Sequence, residues 1–372
     1  MGIVKLAELI RNVAPDAISH KTISDYSGKK IAVDASIVLF QFRTAAPEIR
    51  NRDGSHLSPL VGLFYRTLHF LENDIRPVYV FDGLPPEQKV ALLERRAEAG
   101  GYTRTQRPVS NQVQDCQKIL KLLGVPYLQA PSEAEALCAE LVKCGEVDGV
   151  ASEDMDVLPF GSSLLIRQIG TKEHRGVVEY SLPKVLKTLG LTHEQACIMG
   201  SIFAMKEQRN DQCCRTIEFV DLCILLGCDY CEKIGGLGPK RALALIQQHK
   251  TIEDVLLNIN RTTHPVPENW KYLDARKLFL DPEVANQTSR SLSWEEPDEE
   301  GLVNFLSHEK YVKEERIRRR MEKFRRVRED RKQRGSGEGK QHQTRMDDFF
   351  RVTRSRQAPD AVDQTVSKKS KF

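Results

Sequence analysis

The chain has 372 residues, 40% hydrophobic and 29% charged, which suits a soluble globular core organised as one large domain or two smaller ones. Its formal net charge is only +4, so a nucleic-acid surface would have to come from local clustering and not from the total. No apolar run approaches bilayer length, no secretory core is visible, Leu6 breaks the myristoylation pattern, and nine unevenly spaced cysteines fit a reducing compartment.

In chain order, the first clear element is Lys30-Ile-Ala-Val-Asp34, an apolar run ending in an acid. Pro77-Val-Tyr-Val-Phe-Asp82 repeats the design, and Gly149-Val-Ala-Ser-Glu-Asp154 does so less cleanly. Short β-branched runs between helical segments predict parallel strands of an α/β sheet, whose ligands bind beyond the carboxyl ends, where these acids lie. Each acid taken singly also fits a helix cap or a turn. The stretch Pro85–Leu123 is basic (Lys89, Arg95, Arg96, Arg104, Arg107) and interrupted by Gly100-Gly101 and Pro108, which predicts two short helices with a break. A helix follows from Ala130-Pro-Ser-Glu-Ala-Glu-Ala136; Ser132 and Glu135 fit a capping box, whereas Glu133 has no such local role. Asp154 and Asp156 flank Met155 in a turn.

Beyond Tyr180 the pattern is mostly helical, with an odd stretch at 196–218 that joins an apolar patch to a polar run. The apolar run Leu222–Leu226 then leads to Asp229 and to Gly236-Leu-Gly-Pro-Lys-Arg241. Gly236, Gly238 and Pro239 permit a tight turn that leaves the first amides of the next helix unpaired, and with Lys240 and Arg241 beside them these amides suit a phosphate. An ordinary helix–turn–helix with a solvated basic end is the competing reading. Cys228 and Cys231 form a CxxC, but no second pair completes a zinc-finger spacing. The run Lys313–Arg334 predicts a solvated basic helix, and past Gly335 the composition predicts a disordered tail. Within that tail Gln343-Thr-Arg-Met-Asp-Asp-Phe-Phe350 reads as a docking motif, and Lys368–Lys371 as a weak nuclear-import signal.

The candidate acids are Asp34, Asp82, Glu133, Glu135, Asp154, Asp156 and Asp229. Convergence of so many carboxylates requires cations, and an all-oxygen donor set favours magnesium or manganese. Two such ions about 4 Å apart can bridge a phosphodiester, activate water and stabilise the leaving oxygen. Together with the basic segments, this points to a metal-dependent nuclease or phosphotransferase acting on nucleic acid. A sheet with capping acids and a basic surface is the plainer alternative.

Several motifs resemble the eukaryotic flap endonucleases of DNA replication, members of the structure-specific 5′-nuclease superfamily. They are Met1-Gly-Ile, Ile31-Ala-Val-Asp-Ala-Ser36, Val78–Gly83, Ala130–Ala136, Glu153-Asp-Met-Asp156, Val220–Gly227, Gly238–Ala242 and Pro265-Val-Pro-Glu-Asn-Trp270. The resemblance implies an α/β, parallel-sheet (PIN-like) nuclease core with a helical arch, a helix–hairpin–helix-like DNA-binding region near 229–247 and a disordered tail. Its expected divisions are an N-terminal nuclease region 1–102, an internal region 103–258, a helical region 259–334 and the tail 335–372. It implies a hydrolase that cuts one phosphodiester where a 5′ flap meets duplex, with 5′ exonuclease activity, in replication and base excision repair. Two Mg2+ ions are implied, with Mn2+ able to substitute: Asp34, Asp82, Glu133 and Glu135 at the first, and Asp154, Asp156 and Asp229 at the second. Lys89 and Arg96 match catalytic positions of the arch. Phe40, Arg66, Glu133, Gly227, Asp229, Gly236, Gly238, Lys240 and Arg241 match DNA-binding ones. Residues 343–350 resemble a sliding-clamp box anchored by Gln343, Met346, Phe349 and Phe350. The implied form is a nuclear monomer, in nucleolus and nucleoplasm with a mitochondrial pool allowed, up to three of which one clamp trimer would carry. Departures from the family are the interrupted arch, the insertion 196–218, Val4-Lys5 where the family has residues ending in glycine, and Pro47 at an arginine position. They predict junction cleavage without flap threading, or, as the rival, a DNA- and clamp-binding paralogue with weak catalysis.

Overall fold

The computed structural model describes residues 2–45, 57–90, 110–170, 176–191, 217–284 and 292–335. Its centre is a seven-stranded sheet: β1 (Ile18–Lys21), β2 (Lys30–Asp34), β3 (Arg76–Phe81), β4 (Tyr127–Gln129), β5 (Gly149–Ala151), β6 (Leu164–Arg167) and β7 (Val177–Ser181). The spatial order is β1-β7-β6-β5-β2-β3-β4. Strand β2 lies between β5 and β3 and is parallel to both, with Ile31 opposite Gly149 and Asp34 opposite Val80. The three runs read as strands therefore form one contiguous parallel block, and their acidic ends share an edge.

The expected parallel core is present, β6-β5-β2-β3-β4 being parallel throughout, and an antiparallel flank extends it into a mixed sheet. β6 and β7 pair antiparallel, as do β7 and β1. The antiparallel flank is built of short strands with polar residues interleaved, such as Ile-Ser-His-Lys in β1, so it carries no strong period-2 signal.

Alternation along β2 explains the layering. Ile31 and Val33 are buried with Leu63, Phe64, Tyr79 and Phe81 on one face, whereas Ala32 is buried with Val78, Val80, Val150 and Leu137 on the other. A strand covered on both faces reads as an unbroken apolar run. Helices Ala35–Ala45, Ser58–Glu72 and Ser110–Leu122 cover the first face. Helices Leu6–Val13, Ala134–Lys143, Leu182–Leu189 and Ile217–Leu226 cover the second. Phe64, Phe81 and Phe160 are essentially inaccessible, and burying one such ring contributes about 1.5–3 kcal/mol.

Two compact units emerge, Met1–Val327 and Arg328–Phe372. In the first, residues 314–327 of the basic helix Glu314–Gly335 are more than a solvated rod, because Ile317, Met321 and Phe324 recur at helical spacing and sink into the same cluster as Phe64. Among the described residues no helix is long and apolar enough to cross a membrane. The arch residues Arg96, Gly100, Gly101 and Pro108, Pro47, and the docking residues Gln343, Met346, Phe349 and Phe350 lie outside the described residues, as does the stretch 196–216. The last two residues of the expected insertion, Ile217 and Glu218, open the helix Ile217–Leu226.

Candidate active site

The seven acids are gathered at the carboxyl edge of the parallel block, and four of them are fixed by hydrogen bonds from backbone N–H groups. Asp34 ends β2 and caps the following helix: its Oδ1 accepts from the backbone N–H groups of Ser36 (3.0 Å) and Ile37 (3.2 Å). Its Oδ2 accepts from the Ser152 hydroxyl at 3.3 Å. Asp82, one residue past β3, reaches across to accept from the Ala134 N–H at 2.8 Å. Asp82 thus supplies from outside the cap that Ser132 and Glu135 were expected to make for the helix Ala134–Lys143. The N-cap position is Glu133, which makes no side-chain cap bond, and Glu135 is released from a structural duty. Asp154 caps the single turn Met155–Val157 by accepting from the Asp156 N–H at 3.0 Å. Asp156 accepts from the Ile3 N–H at 2.7 Å, which ties the amino terminus to the site. Asp229 follows the buried helix Ile217–Leu226 and is itself buried.

Asp34, Glu133, Glu135, Asp154, Asp156 and Asp229 are all less than a tenth exposed, whereas Asp82 is open to solvent. Burying carboxylates without compensation is costly, and the electrostatics show it. Burial, with Asp82 and Asp154 close by, pushes Asp34 up to about 8. Burial, Asp34 and Asp82 hold Glu135 well above the usual carboxylate range. Asp156 is raised likewise by burial, then by Asp154 and Asp229. Glu133 is raised by burial despite the opposing effect of Lys89, with Asp82 and Asp229 adding to the rise. The seven therefore feel one another as a single acidic ring.

Lys89 is the cation set against that ring. Its ammonium pairs with Glu133 and is mostly buried. Burial alone would favour the neutral amine, but Glu133 and Glu135 outweigh it and keep Lys89 charged.

An all-oxygen donor set fits a hard divalent ion. The buried Oε2 of Glu135, which has no hydrogen-bond partner, marks where the protein alone leaves the ring incomplete. Among the described residues no three acids close into a finished coordination shell. Asp34, Asp82, Asp154 and Asp156 instead accept from backbone N–H groups, and Glu133 pairs with Lys89.

The amino terminus closes one side of the ring through a residue that sequence reasoning passed over. Gly2 adopts φ +79°, and a Cβ there would run into the carboxylates of Asp154 and Asp156. Met1-Gly-Ile contributed to the resemblance, but only the structure gives the glycine a task. Ser152, which bridges Asp34 and the Asp154 N–H, was missed in the same way.

Flanking the ring are the expected DNA positions. Phe40 projects from the helix Ala35–Ala45 with half of its surface exposed. Arg66 is tucked in: it donates to Gln41 Oε1 at 3.0 Å and lies over the Phe42 ring at 4.6 Å. Gly227 takes φ +106° and accepts from the Val4 N–H at 3.1 Å. Gly236 at φ +67° makes the turn, Gly238 is the N-cap of Pro239–His249, and Lys240 and Arg241 are exposed in its first turn. Gly235 is braced by the Pro265 carbonyl, which accepts its N–H at 3.1 Å. Behind the turn Arg276 grips Asp221 (2.6 Å) and Glu253 (2.8 Å), joining three helices. No sequence pattern singled out Arg276.

The XPG N-terminal domain model matches residues 1–101 and the XPG I-region model residues 124–202. A probable flap endonuclease 1 homolog of Danio rerio is 51% identical over 378 residues, spanning 100% of this chain and 99% of the relative. The chain belongs to the flap endonuclease 1 family. Human flap endonuclease 1 is 43% identical over 95% of this chain and 92% of its own length. Among solved structures, flap endonuclease-1 from Methanococcus jannaschii aligns with a TM-score of 0.65 at 27% identity, over 84% of this chain and 97% of that one. The Rad2 catalytic core in complex with a DNA substrate shares the fold, with a TM-score of 0.68 at 24% identity over 87% and 100%. Family membership agrees with the mixed, mostly parallel sheet.

Proposed function

We propose that this chain is a magnesium-dependent, structure-specific 5′ nuclease that hydrolyses one phosphodiester at the junction of a 5′ flap with duplex DNA. The observation that carries the reading is the ring of seven acids at one sheet edge, six of them buried, with Lys89 set among them. Asp34, Asp82, Glu133 and Glu135 would hold one ion, and Asp154, Asp156 and Asp229 a second. Two bound magnesium ions would supply the positive charge that activates water and stabilises the leaving oxygen.

The chain's own residues do the rest. Lys89 stays charged and can shift from Glu133 to the scissile phosphate. The first turn of Pro239–His249 presents unpaired amides and two cations to a duplex phosphate remote from the cut. The exposed Phe40 ring offers a stacking face to an unpaired base. Residues 343–350 would dock on the sliding clamp, which suits nuclear replication and repair. Incubating the purified chain with magnesium and end-labelled flap, gap and nick substrates tests the reading. Cleavage at the flap junction supports it; duplex binding without cleavage of any junction would place the chain among non-catalytic DNA- and clamp-binding relatives.

A further inference from the structure

Cys228 and Cys231 bracket Asp229, and the function above gives them no task. Their Sγ atoms lie 3.8 Å apart in the turn after the helix Ile217–Leu226, one thiol buried and the other partly open to solvent. From this juxtaposition we propose that Cys228 and Cys231 are a site of reversible oxidation by hydroperoxides, whose disulfide displaces the Asp229 carboxylate and turns cleavage off. The second half rests on the reading of Asp229 as a metal ligand.

The chemistry balances without help from the protein. One thiol of the pair attacks hydrogen peroxide, giving a sulfenic acid and one water. The other thiol then attacks that sulfur, forming the S–S bond and releasing a second water. Two thiols are oxidised by two electrons as one peroxide is reduced. A thiol reductant reverses the bond by exchange.

Bond formation must shorten the sulfur separation from 3.8 Å to about 2.05 Å, so the four-residue turn has to move. Its surroundings decide where. The Tyr230 ring is wedged edge-on against Phe160 (centroids 6.4 Å) and Phe279 (5.1 Å). The Glu232 carbonyl accepts from Trp270 Nε1 at 2.5 Å, and the Gly227 carbonyl accepts from Val4 at 3.1 Å. With the turn pinned at both ends and at Tyr230, the adjustment falls on residues 228, 229 and 231. A misplacement of a ligand or its support costs about 10- to 100-fold in metal affinity or activity.

The test uses the full chain, reduced and then freed of reductant. Hydrogen peroxide is added, remaining thiols are alkylated, and peptide 216–233 is fragmented by mass spectrometry to place any bond. In parallel, flap cleavage and magnesium binding by calorimetry are measured before oxidation, after it, and after dithiothreitol. The expected result is a Cys228–Cys231 bond with the loss of two hydrogens and a fall in cleavage of about tenfold or more. Dithiothreitol should reverse the fall, and Cys228→Ser should cleave normally yet ignore peroxide; Cys231→Ser serves if Cys228→Ser misfolds. A Cys228–Cys231 bond with cleavage and magnesium affinity unchanged overturns the proposal. So does the lack of this bond at peroxide levels that oxidise the exposed Cys144. A chain that cleaves nothing even when reduced, yet forms the bond on oxidation, refutes the nuclease reading instead, and the change in magnesium affinity on oxidation then decides whether Asp229 moved; no magnesium binding in the reduced chain sinks both.

Discussion

Gly2 shows how a single backbone position conditions the chemistry. Its φ of +79° and the contact its missing side chain avoids with Asp154 and Asp156 leave room for glycine alone. Gly2→Ala therefore combines a left-handed strain of roughly 1–2 kcal/mol with displacement of two acids. The expected outcome is a fall in flap cleavage of about tenfold or more, with thermal stability changed far less; equal activity in the two proteins would show that the amino terminus does not shape the ring. Lys5, held at φ 59° in the left-handed region, is another strained backbone position of the amino-terminal segment. The acids themselves were legible because three of them end recognisable strands. Gly2 and Ser152 were not, because a backbone approach and a bridging hydroxyl leave no spacing signal.

The raised carboxyls also make a pH prediction for the metal-free protein. Asp34 sits at about 8, against about 3.9 when unfolded, so the folded chain holds more protons between those values. Its contribution to stability is complete below about 3.9 and is lost as pH rises through about 8. In chelator, the melting temperature should fall between pH 6 and pH 8, and magnesium should raise it more at pH 8, where the acids need fewer protons removed. A melting temperature flat with pH, with and without metal, would count against a crowded acidic ring.

Elements were legible to different degrees. β2, β3 and β5 announced themselves as apolar runs because both faces are covered, and the glycine turn announced the helix Pro239–His249. The three-residue strand β4 and the antiparallel flank did not, because their pairing is dictated by tertiary contacts. The predicted capping box failed because the helix starts one residue later, with Glu133 at the N-cap, and Asp82, distant in sequence, accepts from the Ala134 N–H instead. At the glycine turn, Lys240→Ala should weaken duplex binding about equally for all sequences and lower the salt slope by about one unit. A slope identical to that of the parent would mean that this helix start does not hold phosphate.

At the scale of the whole molecule, the sheet brings to one edge acids that span the chain from Asp34 to Asp229, and that convergence is what sequence could only conjecture. Charge pattern alone made the helix Glu314–Gly335 look solvated, because its buried stripe of Ile317, Met321 and Phe324 is thin among arginines. The docking motif belongs to a different part of the chain from every proposed ligand, so its role should separate from catalysis. Phe349→Ala with Phe350→Ala should abolish sliding-clamp binding by calorimetry while flap cleavage in isolation stays at the parent rate. Retained clamp affinity would remove residues 343–350 from the account.

The central claim is that the acidic ring holds the ions that cut DNA while separate basic elements hold the duplex. Flap cleavage and duplex affinity, measured side by side with magnesium for the parent, Asp82→Ala and Asp229→Ala, test it most directly. The account predicts that each substitution lowers cleavage by about 10²-fold or more and leaves duplex affinity within a few-fold of the parent. Cleavage near the parent rate in either variant would contradict it.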